Sequence, residues 1–497
     1  MSDEKGYSGK SEAEYAAISL GKGSTFLFFG RFLFYLIGFI GFAIVARLIV
    51  SFYGNAEPLG WIYVAATIPS LISILGDFGV GYGITNKFIV NIRRNEKDKA
   101  MQYFWTGVFY SLFLNSLYSI AAFFLGYYII IYIFQKPEVL FLLPIYSSGI
   151  MAILVTGAGG FIGSHVSEYL AKQGFDIIGI DNLSRKNILK REGINELYNW
   201  NYLNKFKNIE LIKGDITRKG EIESLFKKEI DAIIHTAAQV AVTTSLENPE
   251  LDLVTNIIGT FNILEIARKK DAKIIFTSTN KVYGENVNKL KLIENEKRYE
   301  FADEKYKKGI PEEFPIDLTS HTPYGCSKLA SDIYVQDYFY TYGLSTFCLR
   351  MSCIYGIRQF GVEDQGWVAW FAIATLTNKQ INIYGNGKQV RDILYVEDLC
   401  NLISKIIDSK IKHAVYNIGG GPSNSISLLE LLDLLERITG RRANVKFFDW
   451  RKSDQYVYIS DITKAKRELN WEPKISFEEG IKRLINWIKE NINLFQS

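Results

Sequence analysis

Residues 151–163 run Met-Ala-Ile-Leu-Val-Thr-Gly-Ala-Gly-Gly-Phe-Ile-Gly, and that order leaves the chain few choices. A short apolar strand passes straight into Gly157-x-x-Gly160-x-x-Gly163 and then into a helix. The first glycine permits a tight turn. The second lets the backbone approach a pyrophosphate, and the third lets helix and strand pack closely. Free N–H groups at the start of the helix then face the phosphates. The next strand, Phe175–Ile180, ends in Asp181, eighteen residues after Gly163. An acid at that place accepts hydrogen bonds from an adenosine ribose and disfavours a 2′-phosphate, so NAD is expected over NADP.

The alternation of strand and helix continues. Ile209–Ile212 precedes Gly214-Asp215-Ile216, Ala232–His235 precedes Thr236-Ala237-Ala238-Gln239, and Lys273–Phe276 precedes Thr277-Ser278-Thr279-Asn280-Lys281. Such alternation implies a doubly wound parallel sheet of α/β type. Ligands in these sheets sit at the carboxyl ends of the strands, where every one of these polar clusters falls. A helix beginning near Pro323 then sets Tyr324 and Lys328 on one face, one turn apart. An ammonium and a positively charged nicotinamide beside a phenol favour the phenolate, so Tyr324 is the candidate base and Thr279 the group that holds the reacting hydroxyl. His165, His235 and His321 lie near these motifs and read as packing or hydrogen-bonding residues.

With those residues in place, 151–497 resembles the extended short-chain dehydrogenases/reductases that act on nucleotide sugars. The match includes Arg391-Asp392-Ile-Leu-Tyr-Val-Glu-Asp398, Asn417-Ile-Gly-Gly-Gly421 and Leu469-Asn-Trp471-Glu-Pro473. The resemblance implies a Rossmann-type NAD-binding domain over 151–358. It also implies a smaller substrate domain over 359–497, some of whose segments return to the sheet. It places Gly157, Gly160, Phe161, Ile162, Asp181, Asn182, Asp215, Ile216, Ala237, Gln239, Asn256, Tyr324 and Lys328 on NAD. Thr279, Tyr324 and Lys328 become catalytic, and Thr279, Asn280, Arg358, Gln365 and Arg391 touch substrate. Arg391 would take the sugar-nucleotide pyrophosphate, a match for a guanidinium fork; a surface ion pair with Asp392 is its alternative. No metal is expected, and a homo-oligomer through this domain is.

Three stretches narrow the reaction: Gln239–Ser245 with Asn248-Pro249, Ser278–Gly284, and Arg358–Trp367. Together they are similar to the CDP-paratose (CDP-tyvelose) 2-epimerase family. A 4,6-dehydratase of this kind carries Asp-Glu after the catalytic Thr, because elimination of water needs an acid and a base. Here the pair is Asn280-Lys281, which speaks against a dehydratase and against a sugar-acid decarboxylase. The expectation is epimerisation at C2 of a CDP-3,6-dideoxyhexose. A C4-epimerase of a UDP- or GDP-sugar uses the same apparatus. From another class, a polysaccharide-export membrane protein with an inactive epimerase-like domain stays open.

That last possibility comes from the first third of the chain. Residues 1–22 are polar and read as a flexible tail. Between Ser24 and Asn86 the only charged side chains are Arg31, Arg47, Glu57 and Asp77, and from Met101 to Phe134 there are none. The apolar stretches 24–50, 60–85 and 101–134 each reach the roughly 20 residues of a spanning helix, so 23–150 is expected to hold transmembrane helices. Lys87, Arg93, Arg94, Lys97 and Lys99 mark the loop after the second stretch as cytoplasmic. Residues 139–150 are too short for a clean fourth span, and Ala152–Val155 is needed as a strand. Phe42–Val50 and Leu75–Gly83 resemble the start of the polysaccharide flippases, which have many more spans. A membrane protein with its catalytic domain on the cytoplasmic side is therefore expected, as a natural fusion or a misjoined reading frame. No long Lys/Arg block points to nucleic acid. Four cysteines without C-x-x-C spacing argue against a disulfide scaffold and a zinc site.

Overall fold

The computed structural model describes residues 151–189, 197–451 and 453–495, with scattered residues between Lys87 and Phe109. The chain divides into Met1–Ile150 and Met151–Ser497. In the first unit Lys87, Asn91 and Met101–Tyr103 are helical. The expected tail, the first two apolar stretches, most of the third and the segment 139–150 lie outside the described residues. No helix among the described residues is long and apolar enough to cross a membrane.

In the second unit seven strands form the main sheet: β1 (Ala152–Thr156), β2 (Asp176–Asp181), β3 (Ile209–Lys213), β4 (Ala232–His235), β5 (Lys273–Thr279), β6 (Thr346–Met351) and β7 (His413–Ile418). Their order is β7-β6-β5-β4-β1-β2-β3, and every neighbouring pair is parallel. The helices used below are α1 (Phe161–Lys172), α2 (Gly259–Lys270), α3 (Thr322–Tyr342), α4 (Trp367–Thr377), α5 (Val396–Asp408), α6 (Leu428–Thr439) and α7 (Phe477–Glu490). Ala152–Val155 is sheet: β1 pairs with β2 from Ala152↔Asp176 and with β4 from Ile153↔Ala232.

Strand β1 is an unbroken apolar run because both faces of the sheet are covered. Successive side chains point to opposite faces. Ile153 and Val155 pack with Val166 and Leu170 of α1 and Leu399 and Ile403 of α5. Leu154 packs with Ile263 and Ala267 of α2 and Val335 of α3. Helix α5 and strand β7 come from beyond residue 359, so the later part of the chain does return to the sheet. The remainder forms the smaller domain. Its core joins Val368 and Phe371 of α4, Leu431 and Leu435 of α6 and Ile481 and Ile485 of α7. Helix α6 is set by a capping box in which Ser427 and Glu430 bond each other's backbone N–H, satisfying donors the helix start leaves open.

From β1 the sheet grows one way through β2 and the other way through β4. The carboxyl ends therefore part between β1 and β4, which opens a crevice at the topological switch point.

Candidate active site

The glycine turn occupies that crevice. Gly157 has φ +71°, and a Cβ on it would stand 2.8 Å from the Ala237 backbone nitrogen across the gap. A Cβ on Gly163 would stand 2.1 Å from the Gly157 carbonyl oxygen, so α1 closes directly on the turn. Gly160 caps α1 without a side-chain hydrogen bond, leaving first-turn N–H groups for a ligand. Asp181 braces both neighbours: its Oδ2 accepts from Gly159 N–H at 3.0 Å and its Oδ1 from Leu183 N–H at 2.7 Å. Asn182 donates to Asp215 Oδ2 at 3.0 Å, tying the loops after β2 and β3 together.

A cavity of about 600 Å³ runs from this turn to the end of β5. Gly157, Gly160, Phe161, Ile162, Asp181, Asn182, Asp215, Ile216, Ala237 and Gln239 line it, as do Thr279, Tyr324, Arg358 and Gln365. A cradle that side chains would fill, helix N–H groups and a strand-end acid together suit a dinucleotide. Asn256 stands apart from this wall. Its amide donates to Gln239 O at 3.0 Å and Ser327 Oγ at 2.9 Å, and its Oδ1 accepts from Gln239 N–H at 2.9 Å. These bonds pin the loop after β4 to α3.

Helix α3 starts with Pro323 in its first turn, where proline loses nothing, and this brings Tyr324 to the end of β5. Burial pushes the Tyr324 phenol up to about 12, the nearby Asp252 pushes the same way, and a hydrogen bond with Thr279 opposes them. Thr279 Oγ1 also accepts from Lys281 N–H at 3.2 Å. Lys328 lies one turn on, buried, with Nζ donating to Thr277 O at 2.7 Å and standing 4.0 Å over the Phe276 ring. Burial pulls its ammonium down to about 7, against Asp332 and Cys348. Lys328 is thus anchored on β5 by one of its three donors, and burial by itself opposes ionisation of the phenol.

Two expected substrate residues, Arg391 and Asn280, are held by side chains of a later segment. Arg391 donates to Asp454 Oδ1 at 2.8 Å and to the Val390 carbonyl at 2.8 Å, near Cys353 of the cavity wall. Its alternative partner, Asp392, instead accepts from Gly421 and Ser460 N–H, each at 3.1 Å. Asn280 donates to Gln455 Oε1 at 3.3 Å, and its Oδ1 accepts from Thr279 Oγ1 on the wall at 3.3 Å. Arg358 lines the cavity while its Nη1 pairs with Glu168 Oε2 at 2.7 Å. Gln365 lines it while Oε1 accepts from Arg185 at 3.0 Å.

Two residues of the site escaped sequence reasoning. Asp252 is a buried acid behind Tyr324 that accepts from Gln239 Nε2 at 2.9 Å, and burial lifts its carboxyl to about 6. Arg185 lines the cavity four residues after Asp181. The available signal was the second acid after Asn248-Pro249 and an arginine in the ribose loop. His235 is buried between Thr156 and Thr260 at 2.7 and 3.0 Å, a hydrogen-bonding residue of the core. Among the described residues no group of three or more His, Cys, Asp or Glu could hold a metal.

The model of the family described as GDP-mannose 4,6 dehydratase matches residues 154–484. The CDP-paratose 2-epimerase of Salmonella typhi is 41% identical over 347 residues, covering 68% of this chain and 99% of that protein. The UDP-glucose 4-epimerase of Thermotoga maritima, solved with UDP-glucose, is 32% identical with a TM-score of 0.57, covering 69% of this chain and all (100%) of that one. The UDP-glucuronic acid 4-epimerase of Bacillus cereus, solved with UDP-glucuronic acid and NAD, is 27% identical with a TM-score of 0.57 over the same shares, 69% and 100%. Glycine cradle, strand-end acid and Tyr324 beside Thr279 thus agree with these likenesses, and the chain belongs to the nucleotide-sugar epimerase and dehydratase family of extended short-chain dehydrogenases/reductases.

Proposed function

We propose that the chain epimerises a nucleotide sugar with bound NAD, at C2 of a CDP-3,6-dideoxyhexose. The observation that carries this reading is the pair Thr279 and Tyr324 on the wall of the dinucleotide cavity, followed by Asn280 and Lys281 where elimination chemistry needs an acid and a base. The 41% identity to a CDP-paratose 2-epimerase supports the choice of sugar.

Gly157, Gly160, Phe161 and Ile162 would seat the pyrophosphate and Asp181 the adenosine ribose, with Asn182, Asp215, Ile216, Ala237 and Gln239 walling the rest. Bound NAD supplies a hydride acceptor that gives the hydride back within one turnover, so an alcohol carbon can pass through a ketone and be rebuilt in the other configuration. Tyr324 takes the proton from the reacting hydroxyl and later returns it. Thr279 holds that hydroxyl in line. Lys328, whose ammonium burial pulls down, supplies positive charge one turn from a phenol whose ionisation burial opposes. The cycle has no net oxidation, so NAD stays bound.

The direct experiment incubates the full-length chain with CDP-paratose and follows the configuration at C2 by NMR. Inversion at C2 is expected. Inversion only at C4 of a UDP- or GDP-sugar would move the reading to a 4-epimerase, the activity named for the Thermotoga relative. We also infer attachment to the membrane, catalytic unit on the cytoplasmic side, from the apolar, sparsely charged stretches 24–50, 60–85 and 101–134; resistance to alkaline extraction checks it. Exposed Leu253, Ile258, Phe261, Ile333 and Tyr334, on and beside α2 and α3, support self-association, readable by light scattering.

A further inference from the structure

Two arginines cross, in opposite directions, between the dinucleotide-binding elements and the segment 358–365. Arg358 reaches back to Glu168 on α1, with its guanidinium 4.0 Å from the Tyr202 ring. Arg185 reaches forward: Nε donates to Gln365 Oε1 at 3.0 Å and Nη2 to the Phe360 carbonyl at 2.7 Å. Both ends of the Arg185 connection are firm. On one side Asp181 fixes Leu183 N–H and Gly159 N–H, so the loop carrying Arg185 is tied to the glycine turn. On the other, Val362 and Gln365 exchange backbone hydrogen bonds at 2.9 and 3.0 Å. Phe360 is wedged among Tyr198, Trp487 and Phe495. Asp181–Arg185, Arg358–Phe360 and Asp364–Val368 line the same cavity.

We propose that Arg185 is a clasp that holds the Asp181–Arg185 loop against residues 360–365 and so retains NAD in the cavity through turnover. The proposal rests on the NAD-dependent reading above. A guanidinium suits the task because its fork can serve a side-chain amide and a main-chain carbonyl together, which a compact ammonium does less well. Its two described acceptors are neutral, although burying a cation is costly unless it is well paired. Burial accordingly pulls Arg185 down to about 10. A buried cation on neutral acceptors at the cavity wall complements an anionic occupant, as a dinucleotide diphosphate is. Retention also matters to this chemistry: a sugar that has given up its hydride must get it back from the same cofactor molecule.

The test measures the release rate of NAD from the full-length chain, by trapping with excess labelled NAD after desalting, in wild type, Arg185→Met, Gln365→Leu, the double variant and Gln365→Glu. Charge-assisted hydrogen bonds of this kind are worth roughly tenfold or more in an equilibrium. Arg185→Met and Gln365→Leu should each speed release about tenfold, and the double variant no more than the faster single. Gln365→Glu, which turns the contact into an ion pair, should slow release. Unchanged release in both single variants overturns the clasp, as does fast release in Arg185→Met with a silent Gln365→Leu, which would mean that Arg185 only touches NAD directly. Should Arg185→Met not fold, the opposite shifts expected of Gln365→Leu and Gln365→Glu decide the matter. A wild-type chain that binds no NAD overturns the functional reading itself; a wild type that holds NAD while the variants match it overturns the clasp alone.

Discussion

Replacing Gly163 with Ala should damage this enzyme far more than its single added methyl suggests. The new Cβ would lie 2.1 Å from the Gly157 carbonyl oxygen, 2.7 Å from its carbon and 2.9 Å from Thr236 Oγ1. An ordinary contact needs about 3.4 Å or more, so the turn and α1 must separate by more than an ångström. The atoms met first are backbone, on a residue already held at φ +71°, and cannot swing away as a side-chain end would. Overpacking of this sort costs about 1–3 kcal/mol, with the upper end expected here. A shift of about 1 Å in the pyrophosphate seat should lower turnover roughly 100-fold even with NAD added. Two other glycines calibrate the effect. A Cβ on Gly160 meets only the Gly157 carbonyl oxygen, at 3.1 Å, and one on Gly220 meets nothing within 4 Å. Gly160→Ala should be intermediate and Gly220→Ala neutral or slightly stabilising. Thermal unfolding followed by release of bound NAD reports on this unit, with turnover measured alongside. If Gly163→Ala melts and turns over like Gly220→Ala, the account of the cradle is wrong.

Tyr324→Phe should keep bound NAD and lose about 10²–10⁴ in rate; retention of half the wild-type turnover would remove the tyrosine from its role as base. Burial holds the Tyr324 phenol up and the Asp252 carboxylate adds to it, so Asp252→Asn should let the phenol ionise at lower pH. The rising limb of the pH–rate profile should then move toward acid, and an unmoved limb would refute the coupling. Asp332→Ala strands the buried Arg350, whose Nη2 and Nε lie 3.0 and 3.2 Å from the lost carboxylate. It should destabilise the unit by about 3–5 kcal/mol in urea titrations, with Asp332→Asn costing less.

Much of the nucleotide-binding half was legible because its signals are local. A strand, three glycines and an acid at the next strand's end lie within 31 residues of Met151, and each requirement concerns one turn or one helix start. Tyr324 and Lys328 share a helix face by periodicity alone. What periodicity does not reach is where a long polar side chain ends. Arg391 was open to a phosphate or to its neighbour Asp392, and nothing in the spacing announced its pairing with Asp454 in a distant segment. Asn280 finds Gln455, and Arg358 finds Glu168 on α1. Spacing gave Lys328 and Tyr324 a shared face but not the Thr277 carbonyl to which Lys328 also donates. Asp252 and Arg185 were missed for the same reason: their meaning comes from burial, and burial is a property of the assembled sheet and helices.

The central claim is that one sugar carbon gives up a hydride and receives it back. The measurement that tests it most directly uses CDP-paratose deuterated at C2, turned over by the full-length chain in ordinary water, with the product read by NMR and mass spectrometry. The account predicts inverted configuration at C2 with the deuterium retained, because the label never enters exchange with solvent. Inversion with washout of the label would contradict it and assign the reaction to proton abstraction at carbon.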